Sequence, residues 1–320
     1  QDLVDVLRRK LSEKSLLPRQ RLRVACALAA YDDSPELWNM IAGEVAGTIL
    51  REPATDAAVW IEALLPVATH IDPDLQLQFD IVETLESARI GALAIYRFSG
   101  ENAPALATHL PNSNGPRFRA TIELIKRDAE ALPAVREELQ RLVRANDSIA
   151  DAETHATMLA RVILAILELG DVEPFLTYSQ VAADPRVRAR LIQVAVPDRI
   201  DLASLMPVIR SSASPDAKCV AMLAAYAHLD ESVPQSIRDE LHLLSKETLL
   251  SEPHAATHSA AELLLGKLDA KGLRELTSEL GDRGYDDRMA WYVNPAGQTM
   301  IVLTPAAEHR TSEPMATSFA

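Results

Sequence analysis

The fold of this chain is decided by three consecutive pieces of sequence: DAETHATMLARVILAILELG (151–170), DVEPFLTYSQVAA (171–183) and DPRVRARLIQVA (184–195). In the first piece apolar residues recur every three or four positions: Leu159, Val162, Ile163, Ile166 and Leu167. That spacing places them on one stripe of a helix. A helix stripe of this kind has to be covered by another element. We therefore expect this helix to pack against neighbours.

Turn and restart signals follow this helix. Gly170 allows the left-handed turn that commonly ends a helix, a conformation that other residues adopt only at a steric cost. A second, shorter amphipathic run surrounds Phe175 and Tyr178. Asp184 then offers an acceptor at a helix start, and Pro185 stands where its missing N–H is not needed. The stretch predicts helix, tight turn, helix and restart.

The same unit recurs along the chain. Long first helices are predicted to begin near Pro18, Pro53, Glu83, Pro116, Asp151, Pro185, Pro215 and Pro253. Each is followed by a predicted shorter helix that begins near Pro35, Pro73, Asn102, Pro133, Val172, Asp201, Pro234 or Asp269. Two helices in a period of about 30 to 40 residues indicate an α-solenoid. The sequence thus predicts an all-α, HEAT-like solenoid of about eight helix pairs over residues 1–284.

The pattern changes after residue 281. Two short runs, WYV (291–293) and MIVL (300–303), flank a Pro/Gly turn at 295–297, as in a β-hairpin. Because an isolated hairpin is marginal in water, one of its faces is expected to pack on the last helices, near Leu273, Leu276 and Leu280. We expect residues 285–320 to form this hairpin and a loose polar tail. They would lead into a further domain of a longer protein.

Composition narrows the classes of function. The net charge of −14 argues against nucleic acid, whose affinity comes largely from basic side chains on phosphates. Cys26 and Cys219 stand in apolar helical runs and are predicted to be buried free thiols, since two cysteines make neither a disulfide framework nor a four-ligand zinc site. No run approaches the roughly 18 apolar residues of a membrane span. No signal-peptide pattern is visible, and the location of the protein stays undetermined.

Basic residues form one regular pattern. Each stands three positions after the helix-starting proline of its repeat: Arg21, Arg119, Arg188 and Lys218. One interpretation is a ladder for an acidic or phosphorylated protein partner. The interpretation we favour is a row of ion pairs and caps between repeats, because equivalent positions of stacked units line up in space. A HEAT-type nucleic-acid-binding array would require the ladder to be exposed on one face.

Candidate chemistry is confined to one helix face. His254, His258 and Glu262 are spaced four apart and so share a face, which could hold a metal ion or a small catalytic site. The sequence supplies no fourth ligand nearby, and the HExxH pattern is absent. We interpret the row as a solvated or inter-repeat polar face. Nucleotide-binding loops, hydrolase elbows and kinase motifs are also absent, so no catalytic residue, metal site or cofactor is predicted.

Three segments carry a family resemblance: RLRVACALAAYDDSPELW (from residue 21), PHAATHSAAELLLGKL (from 253) and WYVNPAGQTMIVL (from 291). They resemble the helical segment of large bacterial proteins that join a serine/threonine protein kinase to a C-terminal formylglycine-generating-enzyme-like (sulfatase-modifying-factor) domain. In that family the hairpin leads into a Met-Gly-Ser stretch, whereas this chain continues as Leu-Thr-Pro-Ala at 303–306. The resemblance implies a non-catalytic scaffold or spacer for protein–protein interaction, with no catalytic residue of either flanking domain in this segment.

Overall fold

The computed structural model describes residues 3–13, 15–128, 131–145, 151–211, 214–230, 232–284, 286–294 and 296–302. It is mostly helical, with one small two-stranded antiparallel sheet near the C-terminus, as the sequence predicts. Contacts divide the chain into two compact units, Gln1–Asp230 and Glu231–Ala320. The predicted boundary between residues 284 and 285 falls inside the second unit and stays a prediction.

The secondary structure elements are, in chain order, α1 (Leu3–Leu11), α2 (Pro18–Ala29), α3 (Pro35–Ile49), α4 (Ala54–Leu64), a 3-10 turn (Leu65–Val67), α5 (Ala68–Phe79), α6 (Leu85–Phe98), α7 (Ala103–Ala107), a second 3-10 turn (Leu110–Asn112), α8 (Pro116–Ile125), α9 (Ala131–Arg144), α10 (Ala152–Glu168), α11 (Glu173–Tyr178), α12 (Arg186–Ala195), α13 (Leu202–Arg210), α14 (Pro215–His228), α15 (Gln235–Ser251), α16 (Ala255–Leu268), α17 (Ala270–Arg283), β1 (Trp291–Val293) and β2 (Thr299–Ile301).

The predicted first helices correspond to the even-numbered helices α2 to α16, which begin at or just after the predicted residues. Local chemistry explains the agreement. The Asp151 carboxylate accepts hydrogen bonds from the N–H groups of Glu153 and Thr154 at the start of α10. At its other end Gly170 has a φ of 92°, and the Asp171 N–H donates to the Ile166 carbonyl. This six-residue closure is the Schellman form of helix ending.

Two details of the predicted pattern are wrong. Pro73 does not begin a helix but lies inside α5, because the buried spacing of Ala68, Ile71 and Leu75 extends upstream past it. Burial of that stripe outweighs the one backbone donor that proline lacks. The second helix of a pair is also not always the shorter one, since α3 has 15 residues and α2 has 12. The apolar spacing of α3 runs on until the next turn signal.

Packing in residues 1–230 follows a regular rule. The helix α2 packs on α4, α4 on α6, α6 on α8, α10 on α12, and α12 on α14. Between these, α3 packs on α5 and α7 packs on α9. The core they enclose contains four fully buried aromatic side chains: Trp38, Phe79, Phe118 and Phe175. The remainder of this core is aliphatic, as the low aromatic content implies.

Residues 231–302 pack around α16. The helix α15 packs on one side of it, and α17 contacts both α16 and β1. In the hairpin Trp291 pairs with Ile301 and Val293 pairs with Thr299. The predicted residues Pro295 and Leu303, like the predicted loose tail, lie outside the described residues. Within the part of the chain that is described, no helix has both the length and the apolar character needed to cross a bilayer.

Candidate functional site

Three residues of the predicted basic ladder, Arg21, Arg119 and Arg188, form ion pairs. Arg21 of α2 pairs with Glu44 of α3 and also donates to the Glu13 carbonyl at 3.0 Å. Arg188 of α12 lies 3.5 Å from the Asp216 carboxylate of α14. Lys218 lies in α14, the helix against which α12 packs. The pair of Arg188 joins two predicted repeats, as the inter-repeat interpretation requires, whereas the pair of Arg21 joins the two helices of one repeat. The contribution of both pairs to stability stays a prediction.

Arg119 belongs to a larger ionic network, formed by Arg89 of α6, Arg119 and Glu123 of α8, Glu168 at the end of α10, and Lys126 just after α8. Arg89 donates two hydrogen bonds to Glu123, at 2.8 and 3.1 Å. These hydrogen bonds with Arg89, helped by Arg119, lower the pKa of Glu123. The Glu168 side chain is 1% exposed and accepts from Lys126 and Arg119, while its second oxygen accepts the Asp201 N–H at 2.8 Å. The carboxylates of Glu123 and Glu168 therefore join the helices α6, α8 and α10.

A second buried carboxylate joins loops far apart in sequence. Asp198 is completely buried and accepts from Arg161 Nε at 3.0 Å and from the Gly115 N–H at 2.9 Å. Burial raises the pKa of Asp198, and the two donors oppose that shift. Gly115 has a φ of 44°, and a Cβ there would lie 3.2 Å from the Pro197 carbonyl oxygen. This position therefore needs glycine.

Five polar contacts of the first unit have nearly the same sequence separation. Arg19 reaches Asp56 over 37 residues, Arg97 reaches Glu62 over 35, and Arg89 reaches Glu123 over 34. Further along, Arg136 contacts Asp171 over 35 residues, and Arg190 contacts Glu153 over 37. These separations match the period predicted from the helix-start signals.

The candidate row His254, His258 and Glu262 does not converge on one point. His254 Nδ1 lies 2.9 Å from the Thr257 hydroxyl, and Glu262 accepts a 2.8 Å hydrogen bond from the Thr299 hydroxyl of β2. His258 is completely buried, so the expectation of a solvated face is wrong there. Among the described residues, no group of three or more His, Cys, Asp or Glu side chains is arranged to hold a metal ion.

Two residues of the row, His258 and Glu262, instead contact the hairpin. We call this region of contact the hairpin seat (His258, Glu262, Trp291 and the Glu252 carbonyl). The His258 and Trp291 rings stack with centroids 3.5 Å apart and planes 20° from parallel. Trp291 Nε1 donates to the Glu252 carbonyl at 2.7 Å, and His258 Nδ1 contacts the Leu249 carbonyl at 3.1 Å. Burial lowers the pKa of His258 to about 4, so the ring is neutral at neutral pH.

The hairpin packs on the last helices as expected, but the sequence does not predict the stacking of Trp291 on His258. Leu280, Trp291 and Val293 line one shared cavity, in agreement with the predicted packing near Leu280. Met300 and Ile301 of β2 are exposed, at 40% and 58%. The missed signal is that His258 occupies the same helical stripe as the buried Ala261 and Leu265. A histidine on such a stripe is more often part of the core than a ligand.

Both cysteines are free thiols. Cys219 is buried as predicted, whereas Cys26 is half-buried rather than fully buried. Burial raises the pKa of the Cys26 thiol to about 12 and also raises the pKa of Cys219. Since the thiolate is the nucleophilic form, neither side chain has the electrostatic environment of a catalytic cysteine.

Comparison with protein-family models, with curated proteins and with solved structures gives no match for this chain.

Proposed function

We propose that this chain is a non-catalytic, HEAT-like helical-repeat scaffold for protein–protein interaction. In a larger protein it would connect a serine/threonine kinase domain to a formylglycine-generating-enzyme-like domain. The observation that carries the proposal is the recurrence of cross-helix contacts at separations of 34 to 37 residues in residues 1–230. Such a constant separation is what stacked helix pairs produce, because each repeat touches only its neighbours.

Packing supports the repeat interpretation independently of the ion pairs. From α2 to α8 and again from α10 to α14, each even-numbered helix packs on the next one. The odd-numbered helices α3 and α5, and likewise α7 and α9, do the same. Two parallel series of this kind are typical of an α-solenoid and provide long surfaces for protein partners.

The chemistry of the polar residues supports a non-catalytic role. Glu168 and Asp198 are the most buried carboxylates of the ionic contacts described above, and both accept hydrogen bonds from two or more donors. A general acid or base needs an atom that faces substrate. These two side chains are used to join helices, which favours a structural role for the charged network.

The linking role rests on the resemblance of the quoted segments and is supported by the hairpin. The exposed side chains of Met300 and Ile301 give β2 an apolar surface that a following domain would cover. The coding sequence on either side of this segment tests the link. We expect kinase motifs upstream and a formylglycine-enzyme-like domain downstream, and stop codons in frame at both borders would contradict it.

The repeat architecture has its own test by hydrogen exchange. Arg136→Ala removes the ion pair between Arg136 of α9 and Asp171, in which Nη2 lies 2.6 Å from Oδ2. In a solenoid the amides of α9 and α10 should exchange faster, while those of α2 to α4 keep their rates, because stability is a sum of neighbour terms. Arg186→Ala is the matched control, since the ion pair of Arg186 is with Asp184 in the loop just before α12. A uniform increase of exchange across the first unit would contradict the repeat model.

A further inference from the structure

A small groove lies between α6 and α8 in the first unit. It is lined by Arg89, Leu93, Ala120, Glu123, Leu124 and Arg127 and has a volume of about 170 Å³. Its floor is apolar, formed by Ala120, which is buried, and by the half-buried Leu93 and Leu124. A cavity of this size accepts one aliphatic or aromatic side chain.

The rim of the groove is basic although the whole chain has a net charge of −14. The network described above, with the adjacent Arg127 and Asp128, holds four cations, Arg89, Arg119, Lys126 and Arg127, against the three carboxylates of Glu123, Glu168 and Asp128. The next residue, Asp128, accepts a long hydrogen bond from the Tyr96 hydroxyl at 3.5 Å. The ionic network therefore leaves an excess of positive charge beside the groove.

Arg127 differs from the other arginines of this rim. Arg89 and Arg119 share Glu123, whereas no ion pair or hydrogen bond to the Arg127 side chain is found within the described ranges 3–13, 15–128, 131–145 and 151–211. Its side chain is exposed just after the end of α8. An exposed guanidinium next to an apolar pocket is well suited to a carboxylate that follows an apolar side chain.

We infer that the α6–α8 groove is a docking site for an acidic peptide segment of a protein partner, which inserts one Leu- or Phe-sized side chain and places a carboxylate against Arg127. This inference rests on the proposed scaffold function and names the partner chemistry of one of its surfaces. The groove floor provides the apolar contact, and the excess charge selects acidic over basic segments.

The test uses the whole chain with labelled leucine and valine methyl groups, observed by NMR. The probes are acetylated decapeptides with one central Leu or Phe flanked by Asp and Glu, and the same peptides with Lys in place of each acid. We expect the acidic peptides to shift the methyl signals of Leu93 and Leu124 in a saturable way that weakens at high salt. The lysine peptides should leave these signals in place.

Two variants and one further probe make the result decisive. Arg127→Glu should weaken the apparent Kd roughly fivefold or more, since it replaces an attraction by a repulsion. Arg51→Glu, at an exposed arginine just after α3, should leave binding unchanged. Absence of shifts at Leu93 and Leu124 with every acidic peptide would overturn the inference. Equal shifts with an oligouridine decamer would do the same, because they would indicate a general anion surface. The scaffold proposal has separate readouts, namely exchange rates and the flanking coding sequence.

Discussion

The two compact units of this chain differ in the polar contacts that hold their parts together. In residues 1–230 most cross-helix polar contacts are ion pairs on partly exposed side chains, such as Arg89 with Glu123 and Arg136 with Asp171. In residues 231–302 the hairpin is held by a buried aromatic stack and by hydrogen bonds to backbone carbonyls. Exposed ion pairs contribute little individually and weaken with salt, whereas a buried aromatic contact contributes several kcal/mol. The first unit therefore spreads its polar contacts over many places, and the second concentrates them in one.

The largest effect is expected at Asp198, which is buried, unlike the partly exposed ion pairs of the first unit. Asp198→Ala removes the acceptor of both Arg161 and the Gly115 N–H inside a buried site. Breaking a buried pair of this kind costs about 3–5 kcal/mol of unfolding free energy, because the remaining charge stays desolvated. Urea denaturation followed by circular dichroism measures it. Asp184→Ala removes an exposed ion pair with Arg186 and one acceptor at the start of α12; it is the control and should lower the midpoint far less. Equal behaviour of the two variants would show that burial does not decide the cost.

A loss of similar but slightly smaller size is expected in the hairpin seat. Trp291→Ala removes the stack on His258 and the hydrogen bond to the Glu252 carbonyl. Truncation of a buried aromatic residue costs about 3–4 kcal/mol. Exchange of the α16 amides should accelerate in step with this loss. Met300→Ala, on the exposed side of the hairpin, should change neither quantity, and an equal loss in that variant would contradict the contrast.

Acid should weaken the seat through His258. Its pKa is lowered from 6.5 to about 4, so the folded state keeps the ring neutral while the unfolded chain binds a proton near pH 6.5. Since the unfolded state binds more protons in this window, the free energy of unfolding falls as the pH drops from 6.5 towards 4, by up to about 3 kcal/mol. The free energy of unfolding of His258→Gln and of the unchanged chain, each measured at pH 7 and pH 5, gives the contribution of His258 to this decrease. His109 in the first unit also has a pKa lowered by burial and is present in both proteins. If both proteins lost the same free energy between these pH values, His258 would not be the cause.

The smallest effect is expected at the predicted ladder. Arg188 and Asp216 are each about one quarter exposed, so Arg188→Ala should remove about 0.5 kcal/mol and lower the Tm by about 1–2 °C. The decrease should shrink in high salt because screening weakens the pair in the unchanged protein. Scanning calorimetry at two salt concentrations measures it. A decrease in Tm of more than 5 °C would contradict this prediction, because it would give Arg188 a contribution comparable to that of the buried Asp198.

The sequence predicts what local chemistry determines. Helix starts follow from proline and from acceptors such as Asp151, and the turn at Gly170 follows from its backbone freedom. The spacing of four residues between His258 and Glu262 predicts that they share one side of α16, and both contact the hairpin. The element that covers that side comes from β1 and β2, whose docking depends on tertiary packing. Where the sequence indicates a solvated or inter-repeat polar face, the structure has the hairpin seat.

The buried charges were harder to predict because a carboxylate looks alike in sequence whether exposed or buried. Glu168 lies in a stretch that the sequence predicts as helix, and no sequence pattern marks Asp198. Their partners are identifiable in retrospect, because Arg161 precedes Asp198 by 37 residues, close to the repeat period. Opposite charges separated by one period are thus a usable sign of contacts between repeats.

The environment of the two thiols has a practical consequence for spectroscopy. Because the pKa of Cys26 is about 12 and that of Cys219 is also raised, very little thiolate is present in either at neutral pH. Maleimide or nitroxide reagents should therefore react far faster with a cysteine placed at an exposed position such as Val59 or Val181. Labels for distance measurements within the first unit can be introduced without removing the native cysteines.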